Sequence, residues 1–198
     1  VKSTFVEQAR RAQIVGAAVT TLAELGYAAA SVGRIAQRIG ISRPLIHYHF
    51  RSREALIEAV LDHIYAAGYA AVRPGIDRAG TAPERLAAFI TGSVAFYREH
   101  PDYIRALEEI VHGTRAADWQ PVRAREDREI DALATVLRAG QEAGELGSFD
   151  ATVMARTVRH ALNGLLDAWH RDPALDLDHY TGELLRLFRA ATTKGGDT

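Results

Sequence analysis

The segment Ser31–Arg53, SVGRIAQRIGISRPLIHYHFRSR, constrains this chain more than any other, because two short helical patterns meet there across a glycine. Ser31 can cap the free amides of a first helix whose apolar positions Val32, Ile35, Ala36 and Ile39 recur at helical spacing. Gly40 can enter the left-handed region without steric cost, which lets Gly40-Ile41-Ser42 turn sharply, bury Ile41 in the corner and present Ser42 as the next cap. Pro44 fits only a first turn, so a second short helix starts at Arg43. That helix turns Leu45, Ile46 and Phe50 toward a core and leaves Arg43, Pro44, His47, Tyr48 and His49 outside. Arg51 and Arg53 then flank a cap at Ser52, placing positive charge beside the free amides of a third helix, where a phosphate is stabilised. The pattern is a helix-turn-helix and predicts DNA binding.

Charge follows the same division. Residues 1–53 hold eight Lys/Arg (Lys2, Arg10, Arg11, Arg34, Arg38, Arg43, Arg51, Arg53) against the two acids Glu7 and Glu24, while the remainder holds 16 basic residues against 23 acids. The formal net charge of −1 conceals a basic end suited to a polyanion and an acidic body repelled by it.

From about Ala9 to Leu61 the chain resembles the DNA-binding domain of TetR-family transcriptional regulators, most sharply in HYHFRSREAL. The resemblance implies that Tyr48 and Arg53 contact the DNA backbone and that the residues around Arg43 to His47 face the major groove. Pro44 and Leu45 stand where small or polar residues are frequent in the family. The expected DNA-contact set is Ser31, Val32, Ser42, Arg43, Pro44, Leu45, His47, Tyr48, His49 and Arg53. Residues 1–53 form the DNA-binding domain of this reading, 54–74 a connecting helix, and 75–198 a ligand-binding and dimerisation domain.

The expected fold is all-α, a three-helix N-terminal domain joined to a larger helical bundle, because no strand-like alternation competes with the helical patterns. A first helix covers residues 8–25, with Ile14, Val15, Ala18, Leu22 and Leu25 on one stripe, and ends at Gly26. The helix from Ser52 runs to Val72, where Pro74-Gly75 breaks it. Thr81-Ala-Pro-Glu84 has capping-box spacing and opens a helix to about His100; shorter and longer helices follow at 102–112, 121–143, 151–169 and 179–192. Hydrophobic content of 47% is ample for a buried core, and the absence of cysteine excludes disulfides and thiolate metal sites. The N-terminal VKSTFVEQARR has no continuous apolar segment and no run of about 20 apolar residues occurs, so a cytoplasmic protein without membrane association is expected.

The last two helices carry the expected dimer contacts, Ala161, Gly164, Leu165 and Ala168 on one and Leu184 and Phe188 on the other. The resemblance implies a homodimer whose four-helix interface spaces two recognition helices along a near-palindromic operator. Phe89, Ser93, Phe96, Tyr97, Tyr103, Leu107, His112, Trp119 and Asn163 are the candidates for lining an effector pocket, since aromatic side chains with a few polar groups between helices make such sites. The effector would be small and largely apolar, and the chain a repressor that it releases from DNA. Two alternatives compete. Glu109/His112 and Asp167/His170 each set a carboxylate and an imidazole one turn apart, as in di-iron helical proteins, and the basic end alone would suit a non-specific architectural protein. No His-Glu-x-x-His, phosphate-binding glycine loop or Gly-x-Ser-x-Gly elbow is present, so neither an enzyme nor a cofactor is expected.

Overall fold

The computed structural model describes residues 5–113 and 120–194, which are all-α, with no strand among them. The helices are α1 (Phe5–Ala29), α2 (Val32–Arg38), α3 (Arg43–His49), α4 (Arg53–Arg78), α5 (Ala82–Glu99), α6 (Pro101–Gly113), α7 (Gln120–Glu142), α8 (Ala151–Arg171) and α9 (Leu177–Thr192). They divide into two compact units: Val1–Ala67 with His100–Arg123, and Gly68–Glu99 with Ala124–Thr198.

The first unit is built on the stripes that its sequence sets at helical spacing. Ile14, Ala18 and Leu22 of α1, Ile35 of α2, Ile46 of α3 and Leu56, Ile57, Val60 and Leu61 of α4 are buried together, with Ala106 and Ile110 of α6 completing the core. Leu25, placed on the same stripe by its spacing, is instead exposed. The reason is the break beside it: Gly26 has φ +79°, and helix resumes to Ala29 on a new course. α6 packs along α1, so the first unit contains a helix distant in sequence from the helix-turn-helix.

α4 runs through Pro74-Gly75 to Arg78, where the sequence reading ended it at Val72. A proline removes one amide donor, and here the loss is offset locally. Arg73 Nε bonds the Asp77 carboxylate at 2.6 and 2.7 Å across the same turn, and Val72 is buried. By length and composition α4 is also apolar enough to cross a membrane. Its apolar residues Leu56, Ile57, Val60, Leu61 and Ile64 are the core of the first unit.

In the second unit α5 packs on α8 and α9, and α8 on α9. The Thr81–Glu84 capping box forms as the spacing predicts: Glu84 N–H donates to Thr81 Oγ1 at 3.4 Å and Thr81 N–H to Glu84 Oε2 at 3.0 Å. Asp150 caps α8 by accepting from the amides of Thr152 and Val153. α9 starts two residues earlier than its apolar pattern suggests, because Asp176 caps it through the amides of Asp178 and His179.

Candidate functional site

The helix-turn-helix forms as its residues require. Ser31 Oγ accepts from the Arg34 amide at 3.3 Å, Gly40 turns the chain at φ +66°, and Ser42 Oγ accepts from the Leu45 amide at 3.4 Å. Ile46 and Phe50 anchor α3 in the core at 1% and 2% exposure. The opposite side carries Arg43, Pro44, His47 and Tyr48 into solvent, with Tyr48 71% exposed; Ser31 and Ser42 are exposed, and Val32, Leu45 and His49 are half-buried. The Arg43 guanidinium folds back over Gly33 of α2, leaving no room for a side chain there unless the arginine moves.

Six arginines of this unit fall into two sets that the sequence does not separate. Arg11 donates to the His49 carbonyl at the end of α3 and covers the Phe50 ring at 4.2 Å. Arg38 pairs with Glu24. Arg53 donates to the Tyr27 carbonyl and lies 4.1 Å over the Tyr27 ring. The Tyr27 amide in turn donates to Glu109 of α6 at 3.1 Å, just past the break at Gly26. These arginines brace the motif from behind. Arg34, Arg43 and Arg51 are exposed and have no acidic partner among the described residues. Lys2 lies outside the described residues. Tyr48 Oη, expected at the DNA backbone, donates to Glu7 Oε1 at 3.3 Å, so a carboxylate occupies the acceptor's place.

The nine pocket candidates do not share one unit. Phe89, Ser93, Phe96, Tyr97 and Asn163 belong to the second; Tyr103, Leu107 and His112 belong to the first; Trp119 lies outside the described residues. Tyr103 and Leu107 pack against the first core, where Tyr103 Oη meets His63 Nε2 at 2.9 Å, and His112 is exposed. Within the second unit, Ser93, Phe96 and Tyr97 are buried and Phe89 and Asn163 half-buried. A surface hollow bounded by Gln141, Leu146, Gly147, Ser148 and Phe149 contains none of the nine.

Tyr97 leads to a polar cluster that the sequence reading missed. Arg159 Nη1 donates to Tyr97 Oη at 3.1 Å and lies 3.5 Å from Glu129 Oε2, so α5, α8 and α7 meet at one buried guanidinium. Arg159 is 8% exposed and Tyr97 5%. Burial pushes the Tyr97 hydroxyl up, Arg159 opposing and Glu129 reinforcing the shift. Burial likewise raises the Glu129 carboxyl from its ordinary value, with Arg159 opposing and Glu126 reinforcing the shift. In the sequence Arg159 and Glu129 read as two charges among many on polar faces. Only their position relative to Leu162 and Ile130 on the same helices hints that they turn inward.

One further expectation changes. Leu165, Leu184 and Phe188, proposed as dimer contacts, are buried inside this chain's own second unit at 0%, 8% and 3% exposure, so they are core. Ala161 and Ala168 are half-buried and Gly164 exposed, and the large apolar side chains turned outward are Val153 on α8 and Leu187 on α9, each 60% exposed. The carboxylates of the metal alternative are engaged elsewhere: Glu109 accepts the Tyr27 amide and Asp167 pairs with Arg171 at 2.7 Å. Among the described residues no three His, Cys, Asp or Glu side chains converge on a metal position.

Two family models match successive stretches of the chain. Residues 14–60 match the model of bacterial regulatory proteins of the tetR family, and residues 81–190 match that of the tetracyclin repressor-like C-terminal domain. The chain belongs to the TetR family. A TetR-family relative, the HTH-type transcriptional repressor NicS of Pseudomonas putida, is 30% identical over 139 residues, 68% of this chain and 64% of NicS. Two solved structures share the TetR fold. A Rhodococcus sp. protein assigned to the family superposes with a TM-score of 0.81 at 24% identity, covering 92% of this chain and 98% of its own. A Saccharomonospora viridis protein, solved in complex with choline, gives 0.80 at 20% identity, covering 95% and 100%. TetR-family proteins regulate transcription and are not enzymes.

Proposed function

We propose that this TetR-family chain is a ligand-responsive transcriptional repressor that binds a near-palindromic operator as a homodimer and works in the cytoplasm. The observation that carries the reading is the outer side of α3, where Arg43, Pro44, His47 and Tyr48 stand exposed between the unpaired cations Arg34 and Arg51, while Ile46 and Phe50 lock the helix from within. Arg43 and His47 would read base edges, and Ser31, Val32, Ser42, Pro44, Leu45, Tyr48 and His49 would fit the helix pair to the groove and its phosphates. The phosphate role assigned to Arg53 passes to Arg51, because Arg53 is held by Tyr27 and Arg51 is not. Tyr48 would exchange Glu7 for a phosphate.

Residues 1–53 would bind DNA, 54–74 connect, and 75–198 bind effector and partner. The self-association surface would use the exposed side of α8 and α9, with Val153, Ala161, Gly164, Ala168 and Leu187. A small molecule in the second unit would favour one conformation and lower operator affinity about 5- to 150-fold, corresponding to a coupling of roughly 1 to 3 kcal/mol. That the relative from Saccharomonospora viridis holds choline supports a small-molecule effector here. Selection of bound sequences from a pool of random duplexes tests the proposal. Enrichment of a near-palindrome is expected; salt-sensitive binding without enrichment would replace it with the architectural reading.

A further inference from the structure

The Tyr97–Arg159–Glu129 cluster poses an accounting problem. A buried ion pair recovers its desolvation cost only when its atoms are well hydrogen-bonded. Here Arg159 Nη1 donates to Tyr97 and stands 3.5 Å from Glu129 Oε2 without hydrogen-bonding it. That oxygen is sealed from solvent and accepts no hydrogen bond among the described residues, although the Glu129 side chain as a whole is 30% exposed. A sealed carboxylate oxygen without a donor is costly, and such groups in folded chains call for an explanation. The neighbouring hydroxyls do not supply the donor: Ser93 Oγ donates to the Phe89 carbonyl at 2.7 Å, and Tyr97 Oη, which accepts from Arg159 and keeps a proton of its own, makes no hydrogen bond to that oxygen.

We infer that Glu129 Oε2, beside Arg159 and Tyr97, is the polar anchor for an effector with an apolar body and an uncharged donor head, a hydroxyl or a primary amide. This deepens the reading of the second unit as an effector-binding body and rests on it. The head group follows from charge. The missing partner is a donor, which excludes a plain hydrocarbon or a head that only accepts. A carboxylate or phosphate head would meet Glu129 and be repelled. An ammonium head would be drawn to Glu129 and the nearby Glu126 and repelled by Arg159, but it would have to leave its hydration behind on entering a buried site. A hydroxyl or amide donates to Glu129 Oε2 at no such cost. The site therefore selects a neutral head.

The test uses the full chain and two matched series of six to ten carbons, one alkyl and one phenylalkyl, each as alcohol, primary amide, amine, carboxylate and unsubstituted hydrocarbon. Binding is read by calorimetry and by thermal shift. Alcohols or amides are expected to bind at least tenfold more tightly than the amine, carboxylate and hydrocarbon of the same body. Glu129→Gln keeps the shape and replaces a charged acceptor with a neutral one, which weakens the alcohol about tenfold and lets the carboxylate gain against it. Preference for an ionic head, unchanged selectivity in Glu129→Gln, or no binding by either series would overturn the inference. Operator selection is an independent readout. An operator enriched without any neutral-head binding overturns the anchor alone, whereas neutral-head binding without an operator overturns the repressor reading and leaves the anchor.

Discussion

The two units handle arginine in opposite ways. In the first, Arg34, Arg43 and Arg51 stay in solvent without acidic partners among the described residues; in the second, Arg159 is withdrawn from solvent to within 3.5 Å of Glu129 and bonded to Tyr97. An exposed cation keeps its hydration and makes its favourable contacts only when a polyanion arrives, releasing that polymer's counterions. A buried cation has lost its hydration already, so its neighbours must hold it, and any imperfection in their geometry marks a place for something else. Arg11, Arg38 and Arg53 stand between these extremes. They brace the first unit through a carbonyl, a carboxylate or an aromatic face. The same residue type thus reports three roles, and exposure with partner identity separates them.

Substitutions sharpen or break this contrast. The largest effect belongs to Arg159→Ala, which leaves Glu129 without its counter-charge and should cost about 3–5 kcal/mol in chemical denaturation; Arg43→Ala, on the surface, should stay within about 0.5 kcal/mol. Equal losses would erase the distinction. On DNA the order reverses. Arg43→Ala should lose about 1–3 kcal/mol on selected sequence and relax base preference, while Arg51→Ala weakens all duplexes alike and lowers the salt slope by about one. A uniform loss in Arg43→Ala would remove it from base reading. Arg53→Ala should lower stability by about 1–2 kcal/mol, because it deletes a charged hydrogen bond and a stacked cation. Were its stability unchanged and its salt slope reduced, Arg53 would rejoin the phosphate set.

The smallest effects are in pH. The folded Glu129 carboxyl lies above its ordinary value of 4.5, so the folded chain holds that proton after the unfolded chain has released it. Its contribution to stability therefore falls as pH rises from about 4.5 toward the raised value, and Glu129→Gln should flatten that fall in melting temperature. Glu84 is the opposite case. The amides of Thr81 and Gly80 hold its carboxyl below 4.5, so its cap is fully present above the ordinary value and is lost as pH falls through the lowered one. Glu84→Ala should remove an acid-side loss that the parent chain shows. If both variants tracked the parent across this range, neither carboxylate would be linked to folding.

What could be read beforehand was local. The caps at Ser31, Ser42 and Thr81, the turn at Gly40 and the buried faces of α2 and α3 lie within a few residues of their causes, so spacing is enough to place them. The misreadings have two causes. Past Pro74 the local proline signal outweighed another local one, the Arg73–Asp77 pair one turn apart that, with buried Val72, carries α4 on to Arg78. The other cause is long-range: Leu184 and Phe188, expected as dimer contacts, are buried by the packing of α5, α8 and α9.

By itself the sequence determined that this chain is all-helical, that its N-terminal region carries a helix-turn-helix, and that its charge is polarised, because capping, periodicity and net charge are properties of neighbouring residues. Only the tertiary structure decided which arginines face solvent, that Glu109 reaches the Tyr27 amide 82 positions away, and that Arg159 meets Tyr97 and Glu129. Those pairings depend on how helices distant in sequence pack, and burial, which sets the cost of each charge, exists only once they have.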